Sequence, residues 1–351
     1  MPKITVEVIP QIREMVRELA ARSGRRLRHL GYCDLRIEVD EGKGAAAENG
    51  MNKFAGEDYG FAFGVRVIAG EKTAAAGYFG KSLGAADLPR LSRVLRAGID
   101  HAYGRALASA QRKDEAREQF GPLGDTLYDT ELAPIEVRQD TVPALYQIDP
   151  RSVGLEEIAR YVQETSKAVA AVDGQIMYSH VGASTALTRQ LFCSSEGADI
   201  DQSWAVTQGV CFVVAQGKEA GQELYDFVGH QRGWEVITKG IDEGSIQRPA
   251  LHSFSLDLAR DTVALANARP LPATDKDVVV VTDPHYNALL VHEVVGHPTE
   301  ADRALKFVVD LAMGPARSAE EMRHMMDDGS VDVITEFARV SREELQELRV
   351  A

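Results

Sequence analysis

The stretch that decides the fold reads Gly64-Val65-Arg66-Val67-Ile68-Ala69, a run of strand-forming residues that ends at a turn. A second run of similar composition, Gly209-Val210-Cys211-Phe212-Val213-Val214, lies further along the chain. Each run follows a helical pattern and earlier strands, and each leads through a Gly-Glu-Lys or Gly-Lys turn into another strand. We therefore predict an internal duplication of a helix-plus-meander unit, although two unrelated buried strands would give the same composition.

The rest of the chain alternates between helical and extended patterns. Apolar residues at helical spacing predict helices over residues 10–21, 86–110, 155–172 and 256–268. Alternating or continuous apolar runs predict strands over residues 32–39, 45–50, 60–68, 72–79, 175–181, 188–194, 204–215 and 223–228. Residues 133–153 contain prolines and no clear periodicity, which is typical of an extended connector.

The composition disfavours several classes of function. The chain has 351 residues, a formal net charge of -14 and a pI near 5.2. This balance disfavours nucleic-acid binding, because a basic surface is needed to displace phosphate counterions. The sequence has no membrane-spanning apolar stretch and no secretory signal pattern, so we expect a cytoplasmic protein. Cys33, Cys193 and Cys211 are far apart, which favours buried thiols over disulfides.

A continuous apolar run, Asp277-Val278-Val279-Val280-Val281, predicts a strand that is covered on both faces. Asp283-Pro284 ends that strand, and residues 286–296 have a helical pattern. This helix carries His292-Glu293-Val294-Val295-Gly296-His297 at its end. Its placement, directly after a buried strand, makes this short motif the main candidate for chemistry.

Two histidines and a glutamate at this spacing indicate metal-assisted hydrolysis. Zinc binds neutral imidazoles, and a catalytic site keeps one coordination position open for water. His292 and His297 are the candidate zinc ligands. Glu293 is the candidate general base, since it could take a proton from water and pass it to a leaving amine. Glu300 and Asp302 follow closely and could orient a ligand histidine or complete the coordination.

The spacing of the two histidines places a demand on the helix. Residues at i and i+5 lie about 140° apart on an ideal α-helix, whereas residues at i and i+4 lie about 40° apart. A widened, π-type turn would bring the two rings onto one face, and Gly296 has no Cβ to resist it. The sequence therefore predicts that the helix is distorted, or ends, near Gly296.

Other histidines could approach the motif in space. His285 lies in the turn just before the helix, and His180, His230 and His252 lie earlier in the chain. A solvated loop position is the favoured interpretation for His285, and a structural role is favoured for the other three. The cysteines could in principle bind zinc, but none of them follows the motif.

The segment Leu290-Val291-His292-Glu293-Val294-Val295-Gly296-His297-Pro298-Thr299-Glu300-Ala301-Asp302 resembles the signature of the TldD/PmbA family, the modulators of DNA gyrase. The run over 64–68 and Ser195-Glu196-Gly197 are similar to other parts of that family, and the resemblance covers about residues 31–306. It implies a cytoplasmic zinc metallopeptidase that cleaves small or unfolded peptides in an enclosed cavity. In this family's scheme His292 and His297 would be zinc ligands and Glu293 the catalytic base. It also implies a homodimer, or a heterodimer with a PmbA-like subunit.

The patterns and the resemblance together predict an α+β fold class. An α/β amino-terminal domain, with the two possible helix-plus-meander units, would span residues 1–132 and 153–235. The extended connector over 133–152 would join these two units. An incomplete metallopeptidase domain would span residues 236–351, with no resemblance to the family after about residue 306.

The end of the chain departs from the family pattern. The family implies a long β-rich segment after the motif, with a cysteine as third zinc ligand, but this sequence ends at Ala351 and has no cysteine after Cys211. Truncation or divergence would each explain the difference. Two histidines alone should bind zinc weakly unless Glu300, Asp302, His324 or a partner chain adds a ligand. Two functions stay open: an active zinc peptidase, and a non-catalytic, truncated relative that binds peptides or serves as a dimerisation subunit.

Overall fold

The computed structural model describes residues 3–120, 136–244, 246–270, 273 and 277–297. The chain divides into two compact units. Unit 1 comprises Met1–Gln111 and Glu136–Leu271, and unit 2 comprises Arg112–Ile135 and Pro272–Ala351.

Helices and strands are mixed along the chain, so the predicted α+β class is confirmed. The helices are α1 (Ile9–Arg26), α2 (Leu91–Phe120), α3 (Leu155–Ala170), α4 (Glu235–Thr238), α5 (Leu251–Ala266) and α6 (Pro284–Val291), and a π-helical turn (His292–Gly296) follows α6. The strands are β1 (Leu30–Glu48), β2 (Met51–Ala69), β3 (Ala75–Ser82), β4 (Gln139–Val142), β5 (Ile176–Ser194), β6 (Asp199–Gln216), β7 (Gly221–His230), β8 (Ile241–Glu243) and β9 (Ile246–Arg248). Short 3-10 segments lie at Val6–Val8, Ala85–Arg90 and Pro150–Ser152.

Seven strands of unit 1 form one sheet in the order β3-β2-β1-β5-β6, with β4 and β7 each paired to β6. All of these pairs are antiparallel except β4 with β6. Strands β8 and β9 form a separate two-stranded sheet. The two meanders, β1–β3 and β5–β7, are joined because β1 pairs with β5 from Asp34 opposite Ser194 to Glu48 opposite His180.

The order of elements repeats within unit 1. Helix α1 precedes a meander of two long strands and a shorter one, and α3 precedes a second meander of the same form. Both meanders contribute to the same sheet. The duplication that this order suggests, and the domain limits drawn from it, stay predictions.

Two strands each join segments that the sequence patterns predict as separate strands, and β2 begins nine residues before the predicted strand over 60–68. Strand β1 includes the predicted strand over 32–39 and most of the one over 45–50, and it ends at Glu48. Strand β5 begins at Ile176 and includes the predicted strands over 175–181 and 188–194. Glycine and alanine interrupt the apolar alternation of β1, but pairing with β2 on one side and β5 on the other keeps it extended. The predicted extended connector also contains β4, which pairs with β6. No local sequence pattern predicts this pairing.

The chain turns between β1 and β2 at Asn49-Gly50. The φ angles of these two residues are 48° and 75°. Positive φ at both central positions suits a two-residue hairpin turn, and Asn-Gly is the pair that adopts it most readily. The predicted strand over 45–50 therefore ends at this turn.

Both hydrophobic cores lie on one face of the sheet. On the central strands this face carries odd-numbered side chains such as Leu35, Ile37 and Leu191, all fully buried. Helices α1 and α2 pack over one end of the face, and α3 and α5 pack over the other. The apolar stripes that predicted these helices are therefore the surfaces that form the core.

Two further expectations concern the state of the cysteines and the absence of membrane-spanning helices. All three cysteines are buried free thiols, as predicted. Within the part of the chain that the structure describes, no helix is both long and apolar enough to cross a membrane.

The valine run before α6 does not form the covered strand that the sequence predicts. Residues 277–282 have no regular secondary structure, and Val278, Val279, Val280 and Val281 are 64%, 95%, 72% and 92% exposed. An apolar run becomes a covered strand only where other strands pair with it, and no described strand pairs with this one. The prediction of a strand covered on both faces is therefore wrong for the described residues.

A buried carboxylate fixes the loop that leads into α3. Glu235 is 5% exposed, and it accepts hydrogen bonds from the backbone N–H groups of Gln147 at 2.9 Å, Ile148 at 2.8 Å and Gly233 at 3.1 Å. Burial alone would raise the pKa of Glu235, but these donors outweigh burial and hold the pKa below its ordinary value of 4.5. The ionised carboxylate therefore stabilises this connection.

We expect Glu235→Gln to lower the free energy of unfolding by about 1–3 kcal/mol at neutral pH, because the charged acceptor is lost. A lowered pKa stabilises the folded state above the pKa of the unfolded state. The difference between the two proteins should therefore shrink as the pH falls below about 4.5. Urea unfolding at neutral and acidic pH measures this effect, with Glu223→Gln on the exposed side of β7 as control. A loss that is independent of pH, or no greater than the control's, would contradict this role.

Candidate metal centre

Helix α6, which carries the motif, begins at a defined cap. The side chain of Asp283 accepts a hydrogen bond from the backbone N–H of Tyr286 at 2.7 Å. Pro284 lies in the first turn, where the N–H that it lacks would have no helical partner. The side chains of Thr282 and Asn287 are 2.8 Å apart across the same turn. The helix therefore begins at Pro284, two residues before the start predicted from the sequence.

The helix widens at the motif. Beyond Val291 the chain forms a π-helical turn over His292–Gly296, and the backbone N–H of His297 donates to the carbonyl oxygen of His292, five residues earlier. This is the distortion that the i, i+5 spacing predicts, and the prediction is confirmed. As a result the two imidazoles stand together, with ring centroids 4.5 Å apart and ring planes at 71°.

Gly296 contributes less to this turn than the sequence suggests. A Cβ added to Gly296 would have Nδ1 of His292 as its nearest neighbour, at 3.7 Å, which is an ordinary contact. Gly296 also lies outside the set of residues with positive φ. The backbone at this position therefore does not require glycine, and the π-type hydrogen bond accounts for the geometry.

The three polar side chains of the motif converge. The ligand atoms of His292, Glu293 and His297 all lie within 4.8 Å of one another, and Glu293 Oε2 is 3.6 Å from His297 Nε2. Two ligands of one tetrahedral zinc ion lie about 3.4 Å apart, so modest side-chain rotations would bring these atoms onto one ion. Imidazole and carboxylate are donors that zinc accepts, and the residues fit the metal in this respect.

The ligand set is short of a complete catalytic site. Among the described ranges, which stop at residue 297, this is the one group of three or more His, Cys, Asp or Glu side chains that could hold a metal. If Glu293 acts as a base, two imidazoles remain, whereas a catalytic zinc usually has three protein ligands. Glu300, Asp302 and His324, the predicted further ligands, lie outside the described residues.

The motif lies on an exposed stretch of chain. The Glu293 side chain is 58% exposed and the His297 side chain 29%. Apolar side chains around the same helix and turn are also exposed, by 46% to 63% in Leu289, Leu290, Val291, Val294 and Val295. A helix that is apolar all round is normally covered by a neighbour.

The other histidines considered from the sequence have separate contacts within unit 1. His180 Nδ1 is 3.8 Å from a Glu48 oxygen, His230 Nε2 is 3.8 Å from a Glu243 oxygen, and His252 Nδ1 is 3.2 Å from Thr165 Oγ1. These contacts agree with the structural roles predicted for them. The side chain of His285 lies outside the described part.

The cysteines of the sheet are poor candidates for metal ligands. Burial raises the pKa of Cys193 to about 12 and that of Cys211 to about 11. Zinc binds the thiolate form, and the raised pKa values make that form unfavourable for these two cysteines. Their role is in the core, as the sequence predicts.

Comparison with known proteins gives a match outside the motif. Residues 148–269 match the PmbA/TldA metallopeptidase central domain, a segment that runs from the loop before α3 to the end of α5. Metalloprotease slr0863 of Synechocystis sp. (strain ATCC 27184 / PCC 6803 / Kazusa) is 27% identical over 195 residues, which are 55% of this chain and 38% of that protein. Metalloprotease MJ0996 of Methanocaldococcus jannaschii is 27% identical over 167 residues, which are 48% of this chain and 34% of that protein. The matches thus span little more than a third of each relative's length.

Two solved structures are also similar. A protein described as a modulator of a DNA gyrase from Thermotoga maritima MSB8 has a TM-score of 0.46 and 11% identity, over 75% of this chain and 50% of that one. TldE from Thermococcus kodakarensis has a TM-score of 0.43 and 12% identity, over 70% of this chain and 46% of that one.

We expect Gly296→Ala to preserve the motif, because the added methyl group meets no atom closer than 3.7 Å and alanine favours a helix by about 0.5–1 kcal/mol over glycine. The zinc affinity of the full chain, measured by competition with a chromophoric chelator, should change by less than about threefold. Gly104→Ala in α2, where an added Cβ has no atom within 4 Å, is the matched control. A loss of more than about tenfold in Gly296→Ala alone would show that the turn does require glycine.

Proposed function

This chain belongs to the PmbA/TldD family through its residues 148–269, and we propose that it is a zinc-dependent peptidase. The observation that carries the proposal is the convergence of His292, Glu293 and His297 on the π-helical turn. The two curated relatives are named metalloproteases, which supports a metal-dependent peptidase. The choice of zinc rests on the donors, since paired imidazoles with a nearby carboxylate are typical of zinc hydrolases.

In this proposal His292 and His297 hold the metal. Each would offer one neutral ring nitrogen, and the π-turn brings the two rings to the same side of the helix. A third ligand would come from Glu300, Asp302, His324 or a partner chain. The affinity for zinc therefore depends on a residue beyond the two histidines.

Glu293 is the proposed general base. Zinc held at this site would lower the pKa of water and polarise the scissile carbonyl. Glu293 would take the proton of the attacking water and deliver it to the leaving amine. Its carboxylate lies 3.6 Å from the His297 ring and is 58% exposed, so it is within reach of both the metal position and a substrate.

Substrate and assembly are also proposed. We propose small or unfolded peptides as substrates, and a cytoplasmic homodimer, or a heterodimer with a PmbA-like subunit, as the working form. The apolar side chains exposed around α6 support a covering surface, because such a helix is normally packed against a neighbour. The net charge of -14 argues against direct nucleic-acid binding.

A non-catalytic subunit, which binds peptides or completes a dimer, is the second candidate function. The observation that favours it is the ligand count, because the described motif offers only two imidazoles. The placement of Glu293 beside the ring of His297 favours the enzyme, because a scaffold has no need of a base there. Metal binding and hydrolysis, measured separately, distinguish the two candidates.

We expect the full chain to bind zinc and His292→Ala or His297→Ala to weaken binding by at least about a hundredfold, because one imidazole then remains. Metal analysis after dialysis against buffered free zinc measures the effect. The control is His29→Asn in unit 1, since His29 has a φ of 58° and asparagine tolerates that conformation. Equal zinc content in all four proteins would contradict the assignment of these ligands.

We expect Glu293→Gln to keep the bound zinc but to lower peptide hydrolysis by at least about a hundredfold, because the amide cannot accept the proton. Mass spectrometry of an unfolded protein after incubation with each variant measures the cleavage. Glu223→Gln on β7 is the matched control. If the parent chain binds zinc stoichiometrically and cleaves nothing, the result supports the non-catalytic subunit instead.

A further inference from the structure

The sheet of unit 1 has an open face, which we define by the even-numbered side chains of β1, β2, β5 and β6. It lies opposite the odd-numbered side chains that form both cores. One row across this face runs from Gly80 on β3 through Gly64 and Arg36 to Phe192 on β5. Two glycines side by side leave a gap in the layer of side chains at this row.

A cavity of about 340 Å³ lies over that gap. Its lining includes Asp34, Arg36, Glu38, Gly64, Arg66 and Tyr78. This volume is near the lower end of the range for ligand pockets, which is about 300–1,000 Å³. The cavity can therefore hold the end of a polymer such as a peptide, but not a long segment of one.

The floor of the cavity is bare backbone beneath an aromatic ring. A Cβ added to Gly64 or Gly80 would come within 2.9 Å or 2.7 Å of the Tyr78 hydroxyl. The Tyr78 ring thus leans across both glycines, and the residue is 60% exposed. The two glycines allow the ring to lie close to the sheet, and its exposed face offers apolar contact to a ligand.

Both carboxylates that line the cavity already have a hydrogen-bond partner. Asp34 is 4% exposed and forms an ion pair with Arg66 at 2.8 Å. The carboxylate of Glu38 accepts a hydrogen bond from Gln190 Nε2 at 2.9 Å. The register creates both contacts, because it sets Asp34 opposite Arg66 and Glu38 opposite Gln190.

Arg36 is the cation that remains. It is exposed, and its guanidinium lies over the ring of Phe192 at 5.5 Å from the ring centroid. No carboxylate among the residues that the structure describes pairs with it at ion-pair distance. Stacking on an aromatic ring orients a guanidinium and leaves its donors available for an anion.

We propose that this cavity binds the carboxy-terminal end of a peptide, with the terminal carboxylate paired to Arg36. The planar guanidinium can donate two parallel hydrogen bonds to a carboxylate. The last side chain would pack on the exposed face of the Tyr78 ring, which itself covers the two glycines. The inference goes beyond the proposed hydrolysis, since it concerns residues of unit 1 and requires no metal.

The surrounding charges favour a carboxylate over a phosphate. The four charged side chains of the lining, Asp34, Arg36, Glu38 and Arg66, sum to zero, so a bound carboxylate leaves less uncompensated negative charge than a doubly charged phosphate. The acidic chain disfavours polyanions for the same reason. A peptide end combines one negative charge with an apolar side chain and a backbone, which are the three features that the cavity can accommodate.

Isothermal titration of the metal-free full chain tests the proposal. The probe is a short acetylated peptide of alanine and valine with a carboxy-terminal phenylalanine, as the free acid and as the amide. We expect amidation to weaken binding by about tenfold or more, the loss associated with one charge-assisted interaction. Arg36→Gln should weaken binding of the acid by a similar factor and abolish the difference between acid and amide.

Two further variants separate this role from a general effect. Arg96→Gln removes the same charge from an exposed position on α2 and should leave the binding unchanged. Arg36→Lys keeps the charge without the planar fork and should bind the acid with intermediate affinity. This second variant also keeps the test valid if Arg36→Gln proves unstable in thermal unfolding.

Three results would overturn the proposal. They are equal binding of acid and amide by the parent chain, no effect of either Arg36 variant, and equally tight binding of an amidated peptide with an internal aspartate. The last result would assign the cavity to acidic side chains instead of chain ends. Because no zinc or cleavage enters these measurements, a failure of the peptidase proposal would leave them unaffected.

Discussion

The structure of unit 1 depends on the antiparallel pairing of β1 with β5. Each of these strands opens a meander, and each would be an unpaired edge if the meanders stood apart. Their ladder, from Asp34 opposite Ser194 to Glu48 opposite His180, makes one sheet of both. The odd-numbered side chains of both strands then fall on the same face, so α1 and α2 can pack beside α3 and α5 on a single surface. The same pairing sets which even-numbered residues are neighbours on the open face.

Local sequence patterns predict which helices and strands unit 1 contains better than they predict where each one begins and ends. The helices α1 and α3 are predicted because their apolar residues recur at the spacing that the core requires. Strand β1 is divided by its glycines and alanines in the sequence, yet it is continuous because it has a partner on each side. The run from Val278 to Val281 fails in the opposite way, since its residues prefer an extended form but no described strand pairs with it. Pairing between distant strands decides both cases, and no local window contains that information.

The motif itself is more predictable, because its geometry is local. The spacing of His292 and His297 is incompatible with a regular α-helix if both rings are to face one ion. A π-helical turn is the small change that resolves this, and it requires only a backbone hydrogen bond within the segment. The sequence suggests that Gly296 permits this turn, but glycine is not needed there, since a methyl group would fit. The rest of the proposed zinc site is less predictable, because a third ligand would have to come from tertiary structure or from another chain.

The charges of β1 show why a binding site can be invisible in a sequence that contains all of its residues. The alternation of Asp34, Arg36 and Glu38 looks like a solvated strand face in which opposite charges balance. Strand register gives both carboxylates partners other than Arg36, because Arg66 pairs with Asp34 and Gln190 donates to Glu38. Arg36 is opposite Gly64 on one side and Phe192 on the other, neither of which carries a charge. The availability of its guanidinium thus follows from which residues face it across the sheet, and the same register pairs the two glycines that the Tyr78 ring covers.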